Sequence, residues 1–177
     1  MAQGSLKSLT QQPGYAAGSY VLFGATAIIL AALAFEHVGG YAPCPLCIMQ
    51  RYAYYAGIPL AFIGLVVMSA GQRSAAGIIF LFVGLAFVAN AALGIYHAGA
   101  EWAFWPGPSV CEQAAQPLTL GPDFEKAIST TAVPSCTEPA FRAFGLSFAG
   151  WNVLISAALA GLAFYATSNL LEQTFED

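Results

Sequence analysis

Four apolar runs, divided by stretches of different character, organise this chain of 177 residues. The first covers residues 20–37 and approaches the ~20 residues that a membrane-crossing helix needs. The second covers 52–70 and contains Pro59, which a transmembrane helix tolerates with a kink. A polar turn, Gly71-Gln72-Arg73-Ser74, leads into the third, 75–96, whose strongly polar member is Asn90. So short a connection makes the second and third helices antiparallel neighbours. The fourth run is 144–167, followed by an acidic tail. The pattern predicts one membrane domain over 1–177: an all-α integral membrane protein, a four-transmembrane-helix bundle.

The stretches between the runs are unequal. Residues 1–18 are small and polar with one cation, Lys7, and the run behind them is too long for a cleaved leader, so it is expected to stay and span. Residues 38–51 form a first loop. A long loop over 97–143 holds most of the prolines and acidic residues, too polar to span and too long for a plain connector. Trp102, Phe104 and Trp105 at its start read as an interfacial aromatic belt. Residues 121–128 could form a short helix with Phe124 and Ile128 resting on the membrane surface. With four crossings, the first and long third loops share a side.

Composition strengthens the membrane reading. The chain is 58% hydrophobic and 8% charged, against about a quarter charged in soluble domains. A net charge of −4 without a basic cluster argues against nucleic acid as a partner. Lys7 and Arg73 lie on one side, Arg51, Lys126 and Arg142 on the other, so basic residues set no orientation. The four cysteines all fall on the loop side, which points to an oxidising compartment there.

The first loop carries Pro43-Cys44-Pro45-Leu46-Cys47-Ile48-Met49-Gln50-Arg51. A helix starting here offers unpaired N–H groups and partial positive charge, which lower a thiol's pKa. Pro45 suits the first helical position, where its missing N–H is no loss. Cys47 and Arg51, at i and i+4, share a helix face about 6 Å apart along the axis. A thiolate beside a fixed cation at a membrane boundary suits redox chemistry.

Cys111 and Cys136 lie in the long loop, and four cysteines allow three pairings. A Cys-x-x-Cys bridge closes too small a loop to stabilise much through chain entropy, so Cys44 and Cys47 read as reactive. A bridge between Cys111 and Cys136 would close a loop of 24 intervening residues, worth roughly 3 kcal/mol in the chain-entropy model, and stapling is compatible with exchange there. All four could instead hold zinc, although such sites mostly use two close pairs. No metal is expected. Among ionisable residues at helix ends, Glu36, Glu101 and Arg142 read as ordinary boundary charges. Arg51 and His97 read as functional, His97 at the membrane edge where it could polarise or protonate a bound ring. The electrons of a dithiol need an acceptor. There is no dinucleotide glycine fingerprint and no Cys-x-x-Cys-His haem motif, whereas a lipid-soluble quinone arrives through the bilayer.

The four-helix plan, Cys44-Pro45-Leu46-Cys47 followed by Arg51, Tyr96-His97 closing the third run, and Trp105-Pro106-Gly107-Pro108-Ser109-Val110-Cys111 with the later Cys136 together resemble a known family. It is the disulfide bond formation protein B (DsbB) family, quinone-linked thiol oxidases of bacterial inner membranes. The resemblance runs from about residue 20 to 168. It implies a thiol:quinone oxidoreductase, multi-pass in the inner membrane, with its cysteine loops facing the periplasm. It further implies catalytic Cys44, Cys47, Cys111 and Cys136, paired as Cys44–Cys47 and Cys111–Cys136. Cys111 would form a mixed disulfide with a periplasmic thioredoxin-fold, DsbA-like partner, and Cys136 would connect to the first pair. Cys47 would face the quinone, ubiquinone or alternatively menaquinone, with Arg51 and His97 in its binding site. Family members often carry an acidic residue just before the arginine; Gln50 stands there in this chain, so Arg51 is expected to be less neutralised. The vitamin K epoxide reductase family has a similar bundle, but its quinone-facing Cys-x-x-Cys lies in a later helix. A disulfide-stapled or zinc-binding membrane scaffold without turnover is the alternative from a different class.

Overall fold

A computed structural model describes residues 12–109, 111 and 135–176, with side chains through 173. Four long helices dominate: α1 (Pro13–His37), α2 (Pro45–Ser69), α3 (Arg73–Glu101) and α4 (Phe148–Glu176). All four are long and apolar enough to cross a membrane, with mean hydropathies of 2.0, 1.6, 2.5 and 1.6 in chain order. Each packs on the next, and α4 closes back on α1, making a four-membered ring. The chain is an all-α integral membrane bundle.

Small residues let the helices approach, as membrane packing requires where lipid competes with side chains for apolar contact. Phe80 of α3 is fully buried and fills the space left by Gly18 of α1 and Gly64 of α2. A Cβ added at Gly18 would lie 2.5 Å from the Phe80 ring, so any side chain there forces the helices apart. Outward-facing Phe23, Phe62 and Phe82 are more than half exposed, a pattern whose natural solvent is hydrocarbon.

The helices outrun the apolar runs. α1 begins at Pro13 rather than near residue 20, because Gly14, Ala17 and Gly18 are buried as packing residues although they read as a polar lead-in. α2 begins at Pro45, the first helical position that the cysteine motif favours and ahead of the apolar run at 52, so Cys44 and Cys47 stand at a helix start. α3 and α4 extend to Glu101 and Glu176. Lys7 and the short helix expected over 121–128 lie outside the described residues.

At the end of α3, Trp102, Phe104 and Trp105 are all exposed. Trp105 nevertheless folds back, donating its indole N–H to the Tyr96 carbonyl at 2.9 Å and lying over Gly99, where the ring leaves no room for a Cβ. Before α4 the chain makes a two-stranded antiparallel hairpin, β1 (Arg142–Ala143) with β2 (Leu146–Ser147), which the run pattern did not predict. Its turn has positive φ at both Phe144 (52°) and Gly145 (85°), the signature of a type I′ turn. The fold thus gathers the ends of α1 and α3 and the starts of α2 and α4 at one end of the bundle.

Candidate active site

Cys44 is the N-cap of α2. Its extended backbone (φ −72°, ψ 163°) turns the sulfur toward the helix start, where it accepts the Cys47 backbone N–H at 3.2 Å. Pro45 follows in the first turn, as its fixed φ favours. The Cys47 sulfur lies 2.6 Å from that of Cys44, and both are free. His97 of α3 brings Nε2 to 3.6 Å from the Cys44 sulfur. These contacts hold the Cys44 thiol down to about 5, against an ordinary 9.0. The Cys47 thiol's hydrogen bond is the largest cause, burial pushes the other way, and His97 and the Cys47 N–H add to the lowering. Cys44, rather than Cys47, is thus the cysteine at the helix start.

The charges around the pair differ from expectation. Arg51 forms an ion pair with Glu36 at the end of α1, so a neighbouring helix neutralises it despite Gln50. His97 is 2% exposed rather than open at the membrane edge. Its Nε2 also lies 3.7 Å from Oε1 of Glu101, whose side chain is 5% exposed and whose Oε2 has no hydrogen-bond partner. Glu36 and Glu101 therefore belong to the site, whereas by sequence they read as boundary charges. Arg142 lies in the hairpin, paired with Ser147 in the strand register.

Behind the cysteines runs a polar network that the sequence reading missed. Gln50 bonds His97 Nδ1 at 2.8 Å and accepts from Asn152 of α4 at 2.6 Å. Asn152 accepts the Tyr54 hydroxyl at 2.7 Å, and Asn90 donates to Ser156 at 2.9 Å. A signal existed: Gln50, Asn90, Asn152 and Ser156 are polar residues on membrane helices, where each must find a partner.

These groups border a cavity of about 340 Å³ between α1, α2, α4 and the segment before β1. Its walls are apolar, among them Ile28, Ala32, Phe35, Phe148 and Ile155. Its polar end holds Cys44, Cys47, Gln50, Arg51, His97 and Asn152. Size, apolar walls and few convergent polar groups describe a small-molecule site.

Cys111 and Cys136 are joined by a disulfide with Cα atoms 5.8 Å apart. Both are buried and form one cluster with Cys44 and Leu46, with Cys47 and Leu93 packed against it. The two cysteine pairs are thus neighbours at the mouth of the bundle. Bridging of Cys111 and Cys136 removes the four-thiolate zinc set. The ligand atoms of Cys44, Cys47 and His97 do lie within 4.8 Å of one another, as a metal triad would. The Gln50 amide, however, offers a donor to His97 Nδ1, which leaves the proton on Nε2, the nitrogen such a metal would need.

Residues 16–166 match the family described as "Disulfide bond formation protein DsbB". A "Disulfide bond formation protein B" of Azoarcus is 30% identical over 151 residues, covering 78% of this chain and 83% of the relative. One of Polaromonas is 31% identical over 160 residues, covering 83% and 86%. A "Disulfide bond formation protein B 1" of Pseudomonas fluorescens is 33% identical over 132 residues, covering 72% and 74%. No solved structure matches the chain.

Proposed function

From the premise that the chain belongs to the disulfide bond formation protein DsbB family, as a multi-pass membrane oxidoreductase of disulfide formation, we propose a two-pair electron relay. It reoxidises a thioredoxin-fold, DsbA-like dithiol oxidase on the periplasmic side of the bacterial inner membrane and delivers the electrons to a membrane quinone, ubiquinone or menaquinone. The observation that carries the reading is the shared buried cluster of Cys44, Cys111 and Cys136 beside an apolar cavity open to Cys47.

A partner thiolate attacks the Cys111–Cys136 bond, Cys111 taking the mixed disulfide, and the partner's second thiol releases itself as a disulfide. Cys111 and Cys136 are then a dithiol. Attack on a Cys44–Cys47 disulfide by the same exchange restores the outer bond and leaves Cys44 and Cys47 reduced. Each exchange moves two electrons, and sulfur–sulfur bonds are conserved in number.

The cavity's size and apolar walls fit a quinone ring, with Arg51 and the second amide N–H of Asn152 as the groups that would hold its oxygens, while His97 borders it with its N–H turned to Cys44. A bound quinone supplies the acceptor for two electrons and two protons. On the protein side, Cys44 stands ready as thiolate, and His97 steadies it through Nε2. Glu36 keeps Arg51 oriented across the cavity. Glu101, with an unpartnered buried oxygen lining the same space, is suited to accept a proton as the pair reoxidises.

The test follows quinone absorbance with purified protein in detergent, a soluble quinone and a reduced thioredoxin-fold dithiol oxidase. Wild type is expected to turn over, and Cys47→Ser and Cys111→Ser to lose that turnover. Absence of quinone reduction by folded wild type, with ubiquinone and menaquinone analogues both tried, overturns the reading.

A further inference from the structure

We propose that Gln50 is a positioning residue for the reactive cysteine pair: Asn152 orients its amide so that its Nε2 meets His97 Nδ1, which fixes the imidazole as the Nε2–H tautomer directed at the Cys44 sulfur. The proposal rests on the reading of Cys44 and Cys47 as the reactive pair, and it adds how three helices set that pair's reactivity.

The amide orientations give every bond in the network one direction. Tyr54 donates its hydroxyl to Asn152 Oδ1 at 2.7 Å, and Asn90 Nδ2 approaches the same oxygen at 3.4 Å. With Oδ1 so committed, Asn152 presents its NH₂ to Gln50 Oε1 at 2.6 Å. Gln50 then has only its own NH₂ left for His97, 2.8 Å away. An amide NH₂ donates and never accepts, so Nδ1 must be the bare nitrogen and Nε2 must carry the proton. That proton lies between the Cys44 sulfur at 3.6 Å and Glu101 Oε1 at 3.7 Å. Gln50, His97 and Asn90 are each at most 5% exposed, so reversing the Gln50 amide alone would set its NH₂ against that of Asn152 without water to rescue either donor.

The groups facing Cys44 come from several elements. Cys47 lies on α2, His97 and Glu101 on α3, and Arg51 is tied to Glu36 of α1. Glu138 lines the cavity from the segment before β1, and the Cys111–Cys136 disulfide does not titrate. Of these, His97 is the one whose donor or acceptor role Gln50 decides.

The chain has two histidines, and His37 is exposed at the end of α1. In a His37→Asn background, ¹⁵N-histidine labelling therefore leaves His97 as the single imidazole signal. Nitrogen NMR of the reduced protein is expected to show protonated Nε2 and bare Nδ1. Gln50→Leu should mix the tautomers and raise the proton affinity of Cys44 about tenfold, read from thiolate absorbance against pH. Gln50→Glu should rescue: its carboxylate accepts Nδ1–H from a protonated ring that still offers Nε2–H to Cys44, so the thiolate is kept. Asn152→Ala should act as Gln50→Leu does, and it decides the matter if Gln50→Leu does not fold. An unchanged tautomer and an unchanged Cys44 titration in a folded Gln50→Leu or Asn152→Ala protein overturn the proposal. Neither measurement uses quinone or partner protein, so failure of the relay reading and failure of this one give different results.

Discussion

The two cysteine pairs sit side by side but are held by different means. Cys44 and Cys47 belong to the first turn of α2, and their surroundings come from all four helices: Glu36 through Arg51, His97 and Asn152 through Gln50. Cys111 and Cys136 belong to the connection between α3 and α4 and are held by apolar packing on Cys44, Leu46 and Leu93. Directed hydrogen bonds tune the first pair, and packing parks the second. The difference matches the two tasks of the relay proposed above. A pair that must be a thiolate needs donors fixed on rigid helices, whereas a pair that must be handed to another protein has to be separable from the bundle. With Cys111 at 5% and Cys136 at 1% exposure, attack by a partner requires that separation.

The sharpest break in the comparison comes from deleting one sulfur of each pair. Cys44→Ala is expected to abolish quinone reduction from any electron source. Cys136→Ala should abolish it from the protein partner while a small dithiol still serves as donor. Equal loss from both donors would mean that the two pairs do not act in series.

The pairs should also part in their response to acid. The Cys44 pKa is lowered from 9.0 to about 5, so reduced protein should be alkylated at Cys44 at a nearly constant rate from neutral pH down to about 5. Removing the largest cause, with Cys47→Ala, should move that fall-off to higher pH. The linked stability has a definite sign. A depressed folded pKa stabilises fully above the unfolded value near 9, and the gain is lost as pH falls through about 5. The Tm advantage of reduced wild type over Cys44→Ser should therefore shrink between pH 9 and 5.

A smaller effect is expected at Arg51. Its replacement by Ala should raise the apparent quinone KM on the order of tenfold, ~1.4 kcal/mol, with Glu36→Gln following in the same direction and less. An unmoved KM would remove Arg51 from the cavity's binding groups. The smallest effect on the site should come from the opposite end of the bundle. Gly18→Leu forces atoms into the Phe80 ring and should cost about 1–3 kcal/mol of stability, while the Cys44 titration stays where it was. A shifted titration there would show the pair's tuning to depend on packing throughout the bundle.

The four crossings were legible because lipid demands long apolar runs, and the cysteine motif with Arg51 and His97 was legible because its residue types are chemically rare. Helix ends were not. Gly14, Ala17 and Gly18 look like a loose tail on a hydropathy scale, yet they are where α1 meets α4 and Phe80. Glu36 and Glu101 were read as boundary charges since nothing in a single sequence says that the ends of α1 and α3 converge on one cavity. Gln50 was noticed for the acid it replaces rather than for the amide it is. Its partner Asn152 lies about a hundred residues away, a distance that only the closed ring of helices spans. The hairpin depends on a positive φ at Phe144, which no propensity favours.

Asn152 belongs to the last helix, and this gives the site a history as well as a shape. During synthesis all four cysteines leave the ribosome before Asn152 does. Until α4 enters the bilayer and closes the ring, Gln50 has no anchor and His97 has no set tautomer. The nascent chain thus carries its cysteines through insertion without the full support that later activates Cys44, and the completed bundle arms itself only when its final helix arrives.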